Sequence, residues 1–156
     1  MTGARESVLV AAAAMADFVK DPNDWLRRLS PDEWIRAALA ELRKAEEAYG
    51  RGNARAGAAG VKRAAGMALN GALLVEPNEA WGRSYVDHVQ ALAGDAGVPA
   101  AVRTACHAVL EARGPEGGAA GVIQLRTPRT NEAVLEAARD VVAHAYAVVK
   151  RHEAKG

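Results

Sequence analysis

The chain is short of most of the features that announce an activity. Its 156 residues include a single cysteine, Cys106, so no disulfide can form within the chain and a reducing, cytoplasmic setting suits it. Aromatic residues make up only 4% of the sequence, and strand formers are sparse, which argues against a sheet-based core. Charge of one sign is missing too: 20 Lys and Arg face 19 Asp and Glu, for a net charge of +1. A dedicated nucleic-acid binder usually shows a basic excess, so only a local basic patch remains open. No apolar run approaches the roughly 20 residues that a membrane-spanning helix needs. Zinc-type Cys/His clusters, a phosphate-binding loop and a nucleophile elbow are all lacking. None of the 4 histidines has Glu three residues before it, as a di-iron or di-manganese bundle requires. No metal and no cofactor is therefore implied.

What is present is alanine. Half of the chain is apolar, and much of that share is Ala, the best helix former and a residue that lets helices approach closely. The composition predicts an all-α protein, and the length fits a single domain over 1–156. Of the basic residues 15 are Arg and only 5 Lys, which favours bidentate phosphate or carboxylate pairing, although genomic base composition produces the same bias.

The apolar periodicity places a first helix over about Glu6–Lys20, ended by Asp21-Pro22-Asn23, within an N-terminal helix and connector spanning 1–30. Val8-Leu9-Val10 and the alanines that follow mimic a signal peptide, but Glu6 offsets Arg5 and Val8, Ala11, Ala12, Met15, Phe18 and Val19 share one helical face. A short turn is expected around Trp25 and Leu26. Ser30-Pro31-Asp32-Glu33 is a capping-box start for a long helix whose inward face carries Ile35, Leu39, Leu42 and Tyr49, and Gly50 to Asn53 stops it. Asn53 caps the next helix, which reaches about Val75 with Val61, Ala65, Met67, Ala68, Leu69, Ala72 and Leu73 inward. Gly57, Gly60, Gly66 and Gly71 recur along it, each weakening the helix by up to about 1 kcal/mol relative to Ala. A neighbour must approach closely there, a helix in the simpler reading and a ligand in the sharper one.

Shorter helices follow over about Arg83–Ala93, with Val86, Val89 and Leu92 inward, and from Pro99 to about Ala112, with Val102, Cys106, Val109 and Leu110 periodic. Gly114–Gly121 reads as a flexible loop and Val122–Leu125 as extended coil. Thr127, Thr130 and Asn131 are cap candidates for a last helix to His152, whose inward face is Val134, Leu135, Ala138, Val141, Val142, Ala145, Val148 and Val149. Short loops between long helices imply an up-and-down four-helix bundle with additional short helices.

Few residues suggest chemistry. Cys106 and His107 lie in an apolar helical stretch and read as buried and partly buried packing residues. Glu136, Asp140 and His144 form a stripe that a metal could touch, but a solvated helix face produces the same spacing. Trp25, Trp34 and Trp81 are able to stack on bases, or else to anchor the ends of the bundle. The Gly-rich loop follows a helix and lacks the Gly-x-Gly-x-x-Gly spacing of a phosphate cradle.

Over about Trp34–Val149 the order of parts resembles the higher-eukaryote-and-prokaryote nucleotide-binding (HEPN) superfamily. The likeness rests on the charged helix Ala40-Glu41-Leu42-Arg43-Lys44-Ala45-Glu46-Glu47-Ala48-Tyr49 and on a small-residue helix with Arg63, Ala64, Ala65 and Leu69 through Leu74. Further on, Gly82-Arg83-Ser84-Tyr85-Val86-Asp87-His88-Val89-Gln90-Ala91-Leu92 is similar to the family's "SH..LL..L" helix start. Val98-Pro99 then opens a helix ending Leu110-Glu111-Ala112-Arg113, before a long Ala-rich last helix. The resemblance implies a four-helix bundle that forms a homodimer, in a family that includes RNA-cleaving toxins and non-catalytic partners of small nucleotidyltransferases. Its ribonucleases place Arg, four to six residues, then His at the dimer interface, where imidazole shuttles a proton and guanidinium stabilises phosphorane charge. Arg83 with His88 and Arg139 with His144 have that spacing. Arg113 aligns with the family's Arg, but the Gly-rich stretch after it has no His, and five residues on a helix turn Arg139 about 140° from His144.

Three readings follow. The first is a non-catalytic HEPN-like module that dimerises and binds a nucleotide, a nucleic acid or a protein partner, with Arg113 and Trp81 as ligand-binding candidates. The second is a metal-independent ribonuclease using Arg83/His88 or Arg139/His144 across a dimer. The third is an unrelated helical interaction or scaffold protein.

Overall fold

In a computed structural model of the chain, residues 18–113 and 128–154 are described. Five α-helices account for most of them: α1 (Pro31–Gly50), α2 (Ala54–Val75), α3 (Tyr85–Ala93), α4 (Ala100–Glu111) and α5 (Pro128–Ala154). A 3₁₀ turn, Glu79–Trp81, sits between α2 and α3, and among the described residues there is no strand. The protein is all-α. No helix among these is long and apolar enough to cross a membrane.

The helix starts follow from local chemistry. Ser30 accepts a hydrogen bond from the Glu33 amide through its hydroxyl (3.2 Å), while the Glu33 carboxylate accepts one from the Ser30 amide (3.1 Å). This is the capping box that the sequence announces, with Pro31 at the first helical position. Gly52, at a φ of +79°, lets the chain reverse, and the Asn53 side chain then caps α2 by accepting from the Ala56 amide. Ser84 caps α3 in the same way, on the Asp87 amide.

The helix α2 is central and packs on each of the other four. Its glycines explain how so many neighbours fit. Added Cβ atoms would meet the Tyr49 ring at Gly57, the Ala45 Cβ (2.9 Å) at Gly60, and the Pro31 carbonyl oxygen (3.0 Å) and Trp34 at Gly71. The pairing runs backwards along α1 as it runs forwards along α2, so the two helices are antiparallel and nearly in backbone contact. At Gly66 the neighbour is Tyr85, at the start of α3. In all four cases the close neighbour belongs to another helix. On the other flank α5 runs antiparallel to α1, with Lys150 against Asp32 at one end and Arg139 against Glu46 at the other. The pair α3 and α4 closes the bundle between α2 and α5.

The apolar faces fit the sequence periodicity with instructive exceptions. All eight residues expected inward on α5 are buried. On α1, however, Leu39 is 45% exposed, and on α3 Val86 is 39% exposed. Leu39 lies at the margin of its stripe, beside α5 rather than under it, and on α3 the inward position belongs to His88, which is fully buried. His107 is exposed rather than partly buried, because α4 buries Ala105, Cys106 and Val109 and packs Val102, Ala108 and Leu110 at the core's margin, which leaves His107 on the outer face. Cys106 is fully buried as expected, and burial pushes its thiol up to about 11, so it stays protonated near neutral pH.

Residues 6–17 of the expected first helix lie outside the described residues, and Phe18–Lys20, expected to finish it, are not helical. The expected loop at Gly114–Gly121, the extended Val122–Leu125 and the cap candidate Thr127 also lie outside them. Helix α5 begins at Pro128, three residues before the expected start, so Thr130 and Asn131 lie within its first turn instead of capping it.

Candidate functional site

Two connectors meet at one side of the bundle. The first, 18–29, is held by an Asx turn in which the Asp24 carboxylate accepts from the Leu26 (2.8 Å) and Arg27 (3.0 Å) amides. Those backbone bonds, with Arg27's first, hold the Asp24 carboxyl below its ordinary value. The Leu26 carbonyl in turn accepts from the Trp34 indole (2.8 Å), which ties the connector to α1, and the Arg28 guanidinium lies 4.6 Å over the Trp34 ring. The second connector, 76–84, leaves the end of α2 and doubles back along it, so that Tyr85 lands on Gly66 in the middle of that helix.

Between the connectors lies a layer of three rings. The His88 imidazole has its centroid 5.9 Å from that of Trp25 and 6.2 Å from that of Trp81. His88 Nδ1 sits 3.0 Å from the Trp81 carbonyl oxygen, which can only accept, so Nδ1 carries the hydrogen and Nε2 is the bare nitrogen. Nε2 is buried and has no hydrogen-bond partner among the described residues. Burial, the largest influence, holds the imidazole below its ordinary value despite the Trp81 carbonyl and Asp87, so it is neutral at pH 7.

Around this layer the described residues line three clefts. One, of about 290 Å³, is lined by Trp25, Arg28, Asn70, Arg83, Ser84 and Tyr85. Beside it a second of about 450 Å³ includes Trp25, Leu73, Asn78, Glu79 and Arg83. Trp25 and Arg83 belong to both, with the Arg83 guanidinium 5.9 Å from the Trp25 ring. Arg28 also reaches the Tyr85 hydroxyl (3.4 Å). Asn70 is 1% exposed, and its Oδ1 has no hydrogen-bond partner among the described residues.

The third cleft, also about 450 Å³, lies across the second connector and is lined by Glu76, Trp81, Asp95, Pro99, His144 and Arg151 among others. Glu76 Oε2 accepts from Arg151 (2.8 Å) and lies 2.7 Å from His152 Nε2. These partners outweigh the burial that opposes them and hold the Glu76 carboxyl low. His144 is held below its ordinary value by burial and then by Arg151, against Glu76 and Asp95.

The residues singled out from the sequence separate accordingly. Trp81 is one of the three rings, Arg83 borders them over Trp25, and His88 lies between the two indoles with one nitrogen committed to a carbonyl. Arg139 points to the other flank of α5, where Glu132 (2.9 Å), Glu136 (3.1 Å) and Glu46 (3.5 Å) surround it. His144 faces the third cleft, so the pair is divided by the helix, as its spacing requires. Arg113 is exposed beyond the end of α4, one helix length, about 18 Å, from Pro99. Of the acidic stripe, Glu136 is paired with Arg139, and among the described residues no group of three His, Cys, Asp or Glu is placed to hold a metal ion.

Asn70 and Arg28 were not marked by the sequence reading. Asn70 did carry a signal, as the one polar side chain in the run Met67-Ala68-Leu69-Asn70-Gly71-Ala72-Leu73-Leu74-Val75. Arg28 carried none, since its place depends on the fold of a connector. No protein-family model, curated protein or solved structure matches the chain.

Proposed function

We propose that the chain is a non-catalytic HEPN-like module that binds a nucleotide or a single-stranded nucleic acid and pairs with a second copy of itself. The observation that carries this reading is the gathering of the Trp25 ring with the Arg28 and Arg83 guanidiniums around one cleft. Arginine forks match phosphate oxygens, and an indole face stacks on a base without regard to sequence. The state of His88 favours binding over catalysis. A proton shuttle must reach its substrate, whereas this imidazole is fully buried and donates its one hydrogen to Trp81.

Self-association is supported by the far side of the bundle. There Ile35, Leu39, Leu42, Val142, Ala143 and Tyr146 form an almost wholly apolar groove between α1 and α5, with Leu39 and Tyr146 45% and 48% exposed. Salt bridges flank it at both ends, Lys150 with Asp32 and Arg139 with Glu46, so each end presents both signs to an antiparallel copy.

Titrating the protein with a single-stranded RNA oligomer, read by tryptophan fluorescence, tests the reading. Saturable binding is expected, weakened about tenfold or more by Trp25→Ala, since a stacked base contributes about 1–3 kcal/mol. The RNA is expected to stay intact on prolonged incubation. Cleavage that disappears in His88→Ala would establish the ribonuclease reading instead.

A further inference from the structure

We propose that the cleft of about 290 Å³ takes one amino-bearing nucleobase with its phosphate, adenosine monophosphate being the simplest such ligand. Asn70 accepts from the exocyclic amine, Trp25 flanks the ring, and Arg28 and Arg83 hold the phosphate. This inference rests on the reading of the chain as a nucleotide-binding module, and adds which ligand it takes and which residue selects it.

The argument starts from Asn70. It is 1% exposed, neighbours the fully buried Leu69, and has an amide oxygen without a partner among the described residues. A buried acceptor without a donor is destabilising, and an apolar side chain would serve the packing of α2 better. The residue is therefore unexplained by the fold, yet it lines a cleft with two guanidiniums. The terminal torsion of an amide is broad, so Oδ1 can turn to a donor placed in that cleft. An amide pairs well with the amino edge of adenine.

The remaining walls fit the rest of a nucleotide. The nine-residue α3 begins at this cleft, and its Ser84 cap is among the lining residues, so the positive end of the helix adds to Arg28 and Arg83. The volume lies at the small end of the roughly 300–1,000 Å³ usual for small-molecule sites, which suits one base and its phosphate better than a length of polymer.

Calorimetric titration of the full chain with adenosine monophosphate, adenosine, purine riboside monophosphate (which lacks the amine), inorganic phosphate and a single-stranded RNA oligomer tests this. Adenosine monophosphate is expected to bind about tenfold or more tightly than the amine-free analogue, because the unpaired acceptor would otherwise persist. In Asn70→Leu that preference should vanish while the melting temperature rises, a combination that a purely structural asparagine would not produce. Arg83→Ala should weaken the phosphate-bearing ligands and leave adenosine unchanged. If Asn70→Leu does not fold, the comparison of the two monophosphates on the wild type decides. Equal binding of the two, or unchanged selectivity with a lower melting temperature in Asn70→Leu, overturns the proposal. Binding of the oligomer without the mononucleotide also overturns it but leaves the broader reading standing. Binding of none of the nucleotides or the oligomer removes both.

Discussion

At the residue scale two buried polar side chains, Asn70 and His88, stand out among the described residues, in a core made mostly of Ala, Val and Leu. His88 makes stability depend on pH in a definite direction. Its folded value is depressed by burial, as is that of His144, so below about 6.5 the unfolded chain takes up protons that the folded chain refuses. The stability these residues contribute is present above the unfolded value and is lost as pH falls through the window below it. Thermal melts should therefore be flat from pH 8 to about 7 and then decline towards pH 5. His88→Asn, which keeps a donor for the Trp81 carbonyl, should make that decline roughly half as steep, since His144 remains. An unchanged slope would mean that His88 is not the group that titrates. In the sequence His88 and His144 were visible as spacings to Arg and His107 as a residue of an apolar stretch, but neither signal says anything about depth. His88 sits inside and His107 outside because α3 and α4 turn different faces to the core.

At the element scale the sequence was at its most legible. The capping box at Ser30, the Asn53 cap and the face of α5 are local properties, read from a few adjacent residues and present in the structure. The glycines of α2 were legible as a demand for closeness, and their neighbours turn out to be α1 and α3. Helical glycines differ in what they tolerate, as Gly66 in α2 and Gly50 at the end of α1 show. A methyl at Gly66 falls on the Tyr85 Cβ and against its Cα, so Gly66→Ala should cost about 1–3 kcal/mol and lower the melting temperature by several degrees. At Gly50 nothing lies within 4 Å, so Gly50→Ala should be neutral or stabilise by up to about 1 kcal/mol. Denaturant melts of the two variants check the contrast, and equal effects would remove the close-approach explanation. Periodicity misled at Leu39 and Val86, since it finds the centre of an apolar face but not its width.

At the scale of the whole molecule, the all-α class was legible in composition, while the candidate site was not. The site depends on where two connectors come to rest, 18–29 against α1 and 76–84 along α2, and such long-range placement leaves no periodic trace. The proposed self-association belongs to this scale too. Leu39→Glu with Tyr146→Glu should convert a dimer to a monomer in sedimentation velocity and leave the melting temperature little changed, because both side chains are exposed in the single copy. A wild type that sediments as a monomer at tens of micromolar would end that proposal. The doubled-back connector has one more consequence. Trp81 forms part of the wall beside His144, while its carbonyl holds His88, whose ring touches Trp25 in the clefts opposite. The strap thus lies between two clefts, with Pro77 and Asn78 lining both. Should binding on one side depend on where this strap rests, occupancy of the other side is linked to it, and by thermodynamic reciprocity the linkage is equal in both directions.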